Sequence, residues 1–575
     1  MAATTGGRVA RARREALARL SARAHLPLVA APLGGLVGIV GCYLYWTVST
    51  VLVEGLPMSG GLVNYGFGGV RLWALLLAAA SAAAGAALVA RPEWRTARNG
   101  RALVRLGLGL GAVPLLWVLT LLAFLDVKLD RIGPGPWVTL AGGLVVWLAA
   151  RRLLAETPAA PPRPWPRRSL LLDVVVVVAA ELIGFVVYLI GIAIDDAGEF
   201  LGFFIALTTV TATLATVGFT TGLGGPFRRL RPFALALLAV VLVLFPLTQS
   251  GNTFWIQVTA QAGLFVMAAL GLNIVVGSAG LLDLGYVAFF GIGAYVAALT
   301  GNALLTNLNF HVPFLLVLLV VAPLTTAFFG VLLGAPTLRL RGDYLAIVTL
   351  GFGEIVRITL NNIDPITRGP NGISSIPDPA IGSFSMGEGF TLAGFEISGN
   401  AIYLYLELLV IALTLAVVYR LNQSRIGRAW VAVREDEVAA AAMGINTTYI
   451  KLLAFAAGAF FAGMAGSIYA HLLTQVSPDS FTFQYSVLIL AMVVLGGLGN
   501  PPGVVLGAII LYFLPEKLRA FSDIRFLVFG FALILIMRFR PEGLLPEARH
   551  RRELHASGDE AVAETQQLYD VQRSG

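Results

Sequence analysis

Charge is scarce in this chain. Only 13% of its 575 residues are Asp, Glu, Lys or Arg, against 57% hydrophobic, and the mean hydropathy is +0.82. That imbalance excludes a soluble globular protein of this length and points to a polytopic helical membrane protein. Lysine is nearly absent: Lys128, Lys451 and Lys517 are the three, preceded by Val, Ile and Glu. A P-loop needs a Gly-Lys pair to hold phosphates, so no P-loop exists here and any ATP hydrolysis falls to another subunit. The single cysteine, Cys42, excludes an internal disulfide, and its place in an apolar run gives it a packing role. His25, His311, His471, His550 and His555 are scattered without metal-ligand spacing, and no Gly-x-Ser-x-Gly or zinc motif occurs. The chain is therefore expected to bind no cofactor or metal and to be no enzyme. Its net charge of +8 comes from arginines at the ends of apolar runs. Arginine there orients a membrane protein and gives no ground for a nucleic-acid partner.

What is abundant is glycine, 64 residues, as expected where helices pack closely in lipid, and long apolar sequence. Six runs come first: Leu26–Val53, Leu72–Ala90, Leu106–Leu125, Trp137–Ala150, Leu170–Ile194 and Leu201–Leu223. Arg8, Arg11, Arg13, Arg14, Arg19 and Arg23 precede the first run, which is too long for a signal-peptide core and lacks a cleavage site. Arginine-rich connections, around Arg91–Arg105, Arg151–Arg168 and Arg228–Arg231, then alternate with arginine-poor ones such as that holding Asp195, Asp196 and Glu199. Six crossings with the N-terminus inside satisfy the positive-inside rule. Trp137–Ala150 is shorter than the ~17 residues a span needs and must borrow Arg151–Leu154 or be re-entrant.

Ten more runs follow Gly224–Pro232: Phe233–Thr248, Phe254–Val276, Leu284–Thr300, Pro313–Gly334, Tyr344–Leu360, Ala401–Tyr419, Leu452–Leu473, Val487–Leu498, Val504–Leu514 and Phe526–Met537. The same count puts Arg339, Arg341 and the basic C-terminal tail inside, and the loop Asn362–Asn400 outside. Lys517, Arg519 and Arg525 disagree, since they would lie outside. The reading is an all-α polytopic membrane protein of about sixteen transmembrane helices with both termini cytoplasmic. It divides into a six-helix extension (1–230), a core of about ten helices (231–546) and a polar, disordered cytoplasmic tail (547–575). Thr157–Arg168, rich in proline, is a stiff connector.

Three features carry candidate function. Ser424–Lys451 is a charged island between two apolar runs, with Arg434-Glu435-Asp436-Glu437, four alanines around Ala440, and Gly444. Lipid offers such a stretch nothing, and its Ala, Glu and Arg favour helix, so it reads as a short helix presented to a partner in water. Its alanine face would enter a groove on that partner, with the four charged residues at the rim; an ordinary solvated loop is the plainer reading. Glycine breaks at Gly277–Gly285 and Gly496–Gly503 expose backbone that lipid penalises unless it lines a cavity or is covered by protein. Asn273, Asp283 and Tyr286 cluster at the first of them. Finally, Glu354 and Arg357 share a helix face inside a span, where each charge costs about 2.5–3.5 kcal/mol. These five residues form a candidate translocation path for a zwitterion, or else internal pairs that fix helix packing.

From Phe254 onward several segments occur in order: LGLNIVVGSAGLLDLGYVAFFGIGAYVAAL (270–299), LRLRGDYLAIVTLGFGEIVRITLNN (338–362), RGPNGI (368–373), REDEVAAAAMGINTTYIKLLAF (434–455) and VVLGGLGNPPGVVLGA (493–508). Together they closely resemble the LivM-type permease subunit of bacterial branched-chain amino-acid ABC importers, over roughly Phe233–Pro546. The resemblance implies a multi-pass plasma-membrane subunit that carries leucine, isoleucine or valine. It also implies a second, LivH-like permease, two ABC ATPase subunits that use ATP, and an extracellular solute-binding protein. The island's Gly444 after an alanine run resembles the loop by which such permeases engage their ATPases, giving Arg434, Glu435, Asp436, Glu437, Ala440 and Gly444 a coupling role. The first 230 residues show none of the family's motifs. Two other readings stay open: an importer of urea or short amides within the same family, and a stand-alone transporter using Glu354 or Asp283 as a proton or sodium site. A third makes the extension a membrane scaffold or sensor.

Overall fold

The computed structural model describes residues 27–44, 70–90, 97–124, 132–156, 169–194, 197–217, 225–249, 253–301, 313–337, 343–381, 384–392, 395–517 and 543–545, with isolated positions at 519, 530, 534 and 538. The N-terminal arginines, the proline-rich connector, the tail and most of the run Phe526–Met537 lie outside them. The chain forms two compact units, Met1–Val241 and Leu242–Gly575.

The first unit is built from α1 (Pro27–Tyr43), α2 (Val70–Ala90), α3 (Ala97–Phe124), α4 (Pro134–Glu156), α5 (Leu170–Ala193) and α6 (Ala197–Val217), and α7 (Arg231–Thr248) crosses the division. Small residues let these helices meet backbone to backbone, since lipid gives apolar helices no hydrophobic reason to associate. A methyl group at Gly35 would lie 2.5 Å from the Ala82 backbone nitrogen of α2, and one at Gly143 of α4 would lie 2.5 Å from that of Gly111 in α3. Cys42 is buried with its Sγ 4.0 Å from Thr139 Oγ1. The short run Trp137–Ala150 sits within the 23-residue α4, which includes Arg151–Leu154 but is not among the helices long and apolar enough to cross a membrane. Asp173, buried on α5, pairs with Arg229 at 2.9 Å.

The second unit comprises α8 (Thr253–Leu272), α9 (Val287–Gly301), α10 (Ala322–Thr337), α11 (Asp343–Asn362), α12 (Gly399–Gln423), α13 (Arg425–Glu435), α14 (Glu437–Ala442), α15 (Thr447–Leu473), α16 (Phe483–Gly496) and α17 (Pro501–Lys517). Helix α8 is buried almost throughout and continues into a π-helical turn, Asn273–Ser278, at the first glycine break. Helix α15 is the other central element and packs on α8, α9 and α10. Its glycines allow this: a methyl at Gly293 of α9 would lie 2.5 Å from the Gly463 carbonyl oxygen, and one at Gly330 of α10 would lie 2.9 Å from Ala459 Cβ. Among the described residues, ten helices are long and apolar enough to cross a membrane, and three shorter apolar ones accompany them.

Between α11 and α12 the chain forms β1 (Ile373–Ser374), β2 (Ala380–Ile381), β3 (Phe384–Ser385), β4 (Phe390–Leu392) and β5 (Phe395–Ile397), and β6 (Gln475–Val476) follows α15. All pair antiparallel, and β1 with β6 (Ile373 opposite Val476) ties this long loop to the end of α15. A tight turn closes at Asn371-Gly372, with Gly372 at φ +64° and its amide donating to the Gly369 carbonyl at 3.1 Å. Lys517, the outlier of the charge count, lies 3.9 Å from the centroid of the Trp255 ring at the start of α8. Arg519 pairs with Glu516 at 3.4 Å. Both positive charges therefore have local partners.

Gly293→Leu should destabilise the core by about 1–3 kcal/mol through overpacking against α15. Thermal unfolding of the purified chain in detergent should show a lowered midpoint, whereas Gly184→Leu, where a side chain meets nothing within 4 Å, should leave it in place.

Candidate functional site

The charged island folds as two short helices joined at a step in the backbone. Ser424 caps α13, its Oγ accepting from the Ile426 and Gly427 amides at 3.1 and 3.3 Å. On α13 the Trp430 side chain is fully buried, and its Nε1 donates to the Ile450 carbonyl at 2.8 Å, fastening the helix to the beginning of α15. The step falls at Asp436. Its backbone turns extended, and Oδ1 accepts from the Val438 and Ala439 amides at 2.8 and 3.0 Å, so it ends α13 and caps α14. Gly444, at φ +84°, closes α14 in the left-handed conformation that glycine adopts without penalty, and its amide donates to Ala441 at 3.0 Å. Asn446 then caps α15. Lys451, nearly buried, donates to Glu437 Oε1 at 2.6 Å, a second tie between α14 and α15.

A single helix is expected here and the chain forms two, with Ala439, Ala441 and Ala442 of the four alanines facing outward. Ala440 packs inward and is 4% exposed, because a six-residue helix lying on α15 must bury one side. Of the four charged residues Asp436 is a cap, Glu437 pairs with Lys451, and Arg434 Nη1 donates to the Gly277 carbonyl at 2.6 Å. Glu435 is exposed. The outward surface is instead Val438, Ala439, Ala441, Ala442 and Met443, with Val438 68% and Met443 83% exposed. Two exposed aliphatic side chains within a charged island were the sequence signal for this surface.

The glycine breaks meet beneath the island. Asn273 is fully buried, and its Oδ1 accepts from the Gly499 amide at 2.9 Å, joining the first break to the second. Ser278 reaches Asn422 at the end of α12, 3.4 Å away. Residues 543–545 close over the second break: the Leu544 amide donates to Leu495 O at 2.8 Å and Asn500 Nδ2 donates to Leu545 O at 2.6 Å. Asp283, also fully buried, accepts from the Gly285 amide at 2.9 Å, while its Oδ2 has no hydrogen-bond partner among the described residues. Tyr286 donates to the Gly458 carbonyl of α15 at 2.7 Å. Thr349 of α11 accepts from the Leu284 amide at 3.0 Å. Most of this turn is therefore covered by protein, while Gly280 stays exposed.

Glu354 and Arg357 form a close pair on α11, Nη2 to Oε1 at 2.5 Å, and Arg357 Nη1 also reaches Asp479 at 3.4 Å. The Glu354 side chain is 42% exposed, Arg357 27% and Asp479 77%. Helix α11 leaves most of its surface uncovered by this chain. A charged group half-exposed on a membrane-length helix must face water or another protein. These residues and the Asn273–Tyr286 cluster thus occupy separate places, one open and one sealed. A further carboxyl, Glu407 of α12, is fully buried against Gly263 with neither oxygen hydrogen-bonded among the described residues. It was hidden in the sequence by its place in an unbroken apolar run.

Residues 254–537 match the family described as branched-chain amino acid transport system / permease component. The chain is 43% identical to the high-affinity branched-chain amino acid transport system permease protein LivM of Salmonella typhimurium, across 57% of this chain and 79% of that protein. It is 26% identical to the probable LivM of Methanocaldococcus jannaschii, across 48% of this chain and 84% of the relative. It is also 27% identical to Escherichia coli LivH, across 49% and 91%. No solved structure matches the chain.

Trp430→Ala should undock the island, removing about 3–5 kcal/mol of packing, while Trp430→Phe should cost nearer ~1 kcal/mol for the hydrogen bond alone. Limited proteolysis of the purified chain reads this out: cleavage between residues 425 and 451 should be fastest in the alanine variant. Equal protection in all three proteins would show that Trp430 does not hold the island.

Proposed function

We propose, because this chain belongs to the family of branched-chain amino acid transport permease components, that it is the LivM-type membrane subunit of an ATP-driven importer for leucine, isoleucine and valine. The observation that carries this reading is 43% identity across 79% of a LivM protein, together with the family match over residues 254–537, which takes in both the island and the glycine breaks. In this reading the chain sits in the bacterial plasma membrane with about sixteen spans and both termini in the cytoplasm. Residues 231–546 are the permease core, residues 1–230 an added membrane extension and residues 547–575 a cytoplasmic tail. The chain works with a second, LivH-like permease, two ABC ATPases that hydrolyse the ATP, and an extracellular solute-binding protein. That a LivH protein matches this chain over 91% of its own length supports two related subunits side by side.

The geometry supports a division of roles. Val438 and Met443 project from the island, and aliphatic side chains in water gain about 1.5–3 kcal/mol each on full burial, so they suit a groove on an ATPase. Gly444 sets the direction in which they project. Glu354, Arg357 and Asp479 give α11 a half-open polar stripe that suits the translocation path between two permease subunits. A zwitterionic substrate presents both charges, and a stripe with both signs can accompany it without holding it tightly. Asn273, Asp283 and Tyr286 serve the path indirectly, by sealing the turn between α8 and α9.

Reconstitution into vesicles with the neighbouring ATPases, second permease and binding protein tests the reading. Labelled leucine should accumulate only with ATP, and excess isoleucine or valine, but not urea, should compete. Uptake by the lone chain under a proton or sodium gradient would overturn the assignment. Gly444→Val places a β-branched residue at φ +84°, a strain of roughly 1–2 kcal/mol that should unwind the last turn of α14. Uptake should fall at least ~10-fold, the factor that 1.4 kcal/mol represents, while the amount of inserted protein stays unchanged.

A further inference from the structure

Arg434 faces the transmembrane core although it lies in the charged island. Its guanidinium donates to the carbonyl oxygen of Gly277 at 2.6 Å. That carbonyl belongs to the π-helical turn that ends the α8 segment, and the last carbonyls of a helix have no partner within it. They also carry the negative end of the helix dipole, so a cation there is doubly favoured. The neighbouring amides confirm the vacancy: Ala279 and Leu281 donate to Ile274 and Val275, not to Gly277. The aliphatic stem of Arg434 occupies the space over Gly280. A methyl group on that glycine would lie 2.5 Å from Arg434 Cγ, and its φ of +71° keeps the turn open for the stem.

Gly277 is in turn pressed against the second break. A methyl on it would lie 2.5 Å from the Gly499 amide, which is the amide held by Asn273. At its other end Arg434 sits one residue before the end of α13, in a unit fixed by Trp430, the Asp436 cap and the Glu437–Lys451 pair. One side chain thus joins a braced surface element to the first glycine turn, which Asn273 joins to the second.

We propose that Arg434 is the strut through which movement of the island is passed to the glycine turns at the base of the bundle, a positioning residue that acts on transport without touching substrate. This rests on the importer reading. A displacement of α14 by a closing ATPase is carried rigidly to Arg434, which draws the Gly277 carbonyl with it. Through Gly499 the motion reaches α16 and α17. π-Turns are frequent where a helix must deform for function, and this one lies at the point of attachment.

The test uses the full complex in vesicles and reads leucine transported per ATP hydrolysed. Arg434→Met keeps the stem and removes the donors, and should lower that ratio at least tenfold. Arg434→Lys restores a donor and should recover much of it. Gly280→Ala pushes the stem aside and should reproduce the defect. In the Arg434→Met background it should add little, because both changes break one link. Co-purification of the ATPases should be unchanged in every variant, which separates a lost strut from a lost dock. An unchanged ratio in Arg434→Met, or a loss explained wholly by missing ATPase, overturns the inference and leaves the importer reading intact. A wild-type complex that shows no ATP-dependent uptake removes both.

Discussion

A helix that stops inside a membrane protein frees backbone groups that lipid cannot satisfy, and the second unit is organised around meeting that demand. Two chain reversals do this at the same level, after α8 and between α16 and α17. The first is met by Thr349, Asp283 and Arg434, the second by Asn273 and residues 543–545. Asn273 lies in the first turn and accepts from an amide of the second, so the two are tied to each other. Glycine is required in these turns because the two backbones run within van der Waals distance, and Gly496 and Gly503 face each other so closely that neither could carry a methyl.

The same constraint explains the treatment of charge. Three ionisable residues near the core are answered by backbone or by a partner, Arg434 by a carbonyl, Asp283 by an amide and Lys451 by Glu437, whereas Glu407 has no hydrogen bond among the described residues. Where no answer is needed, the residue lies at a surface that can be wet, as Asp479 does. Glu354 and Arg357 fall between these cases, paired with each other yet open on one side. An ion pair serving only to lock helices would be better enclosed by them. Its openness is what sets α11 apart from α8, which is buried almost throughout.

Much of the architecture was legible in the sequence, since apolar runs of membrane length have few alternatives in lipid: the runs that give α8, α9, α11, α12, α15, α16 and α17 reappear as helices with ends shifted by a few residues, and Pro313–Gly334 reappears as α10 preceded by a π-helical turn at Val317–Val321. The island was legible as an exception to that rule. Its internal geometry was not. Asp436 reads as one of four rim charges, but its carboxylate competes for backbone amides and so breaks the helix in two. Arg434 reads as a solvent-facing residue because its partner is a carbonyl 157 positions away, and no local pattern encodes that separation. Likewise β1 and β6 are two residues each, too short for any alternation to appear. Glu407 leaves no mark on the sequence pattern, because a single carboxyl hardly changes the character of an apolar run.

The two faces of the island then follow from one another. A surface that must transmit force needs compliant contacts on the side that docks and stiff ones on the side that pulls. Val438 and Met443 supply the first, as aliphatic side chains that bind by burial and tolerate sliding. Trp430, the Asp436 cap, the Lys451 pair and the Arg434 hydrogen bond supply the second, each directional and each spent on a different neighbour. Had Arg434 faced outward, the island would be joined to the core only through its own two flanking helices, α12 and α15. Turned inward, it gives the island a third attachment, made directly to the α8 turn beside the indirect ones through Asn422 of α12 and Gly458 of α15.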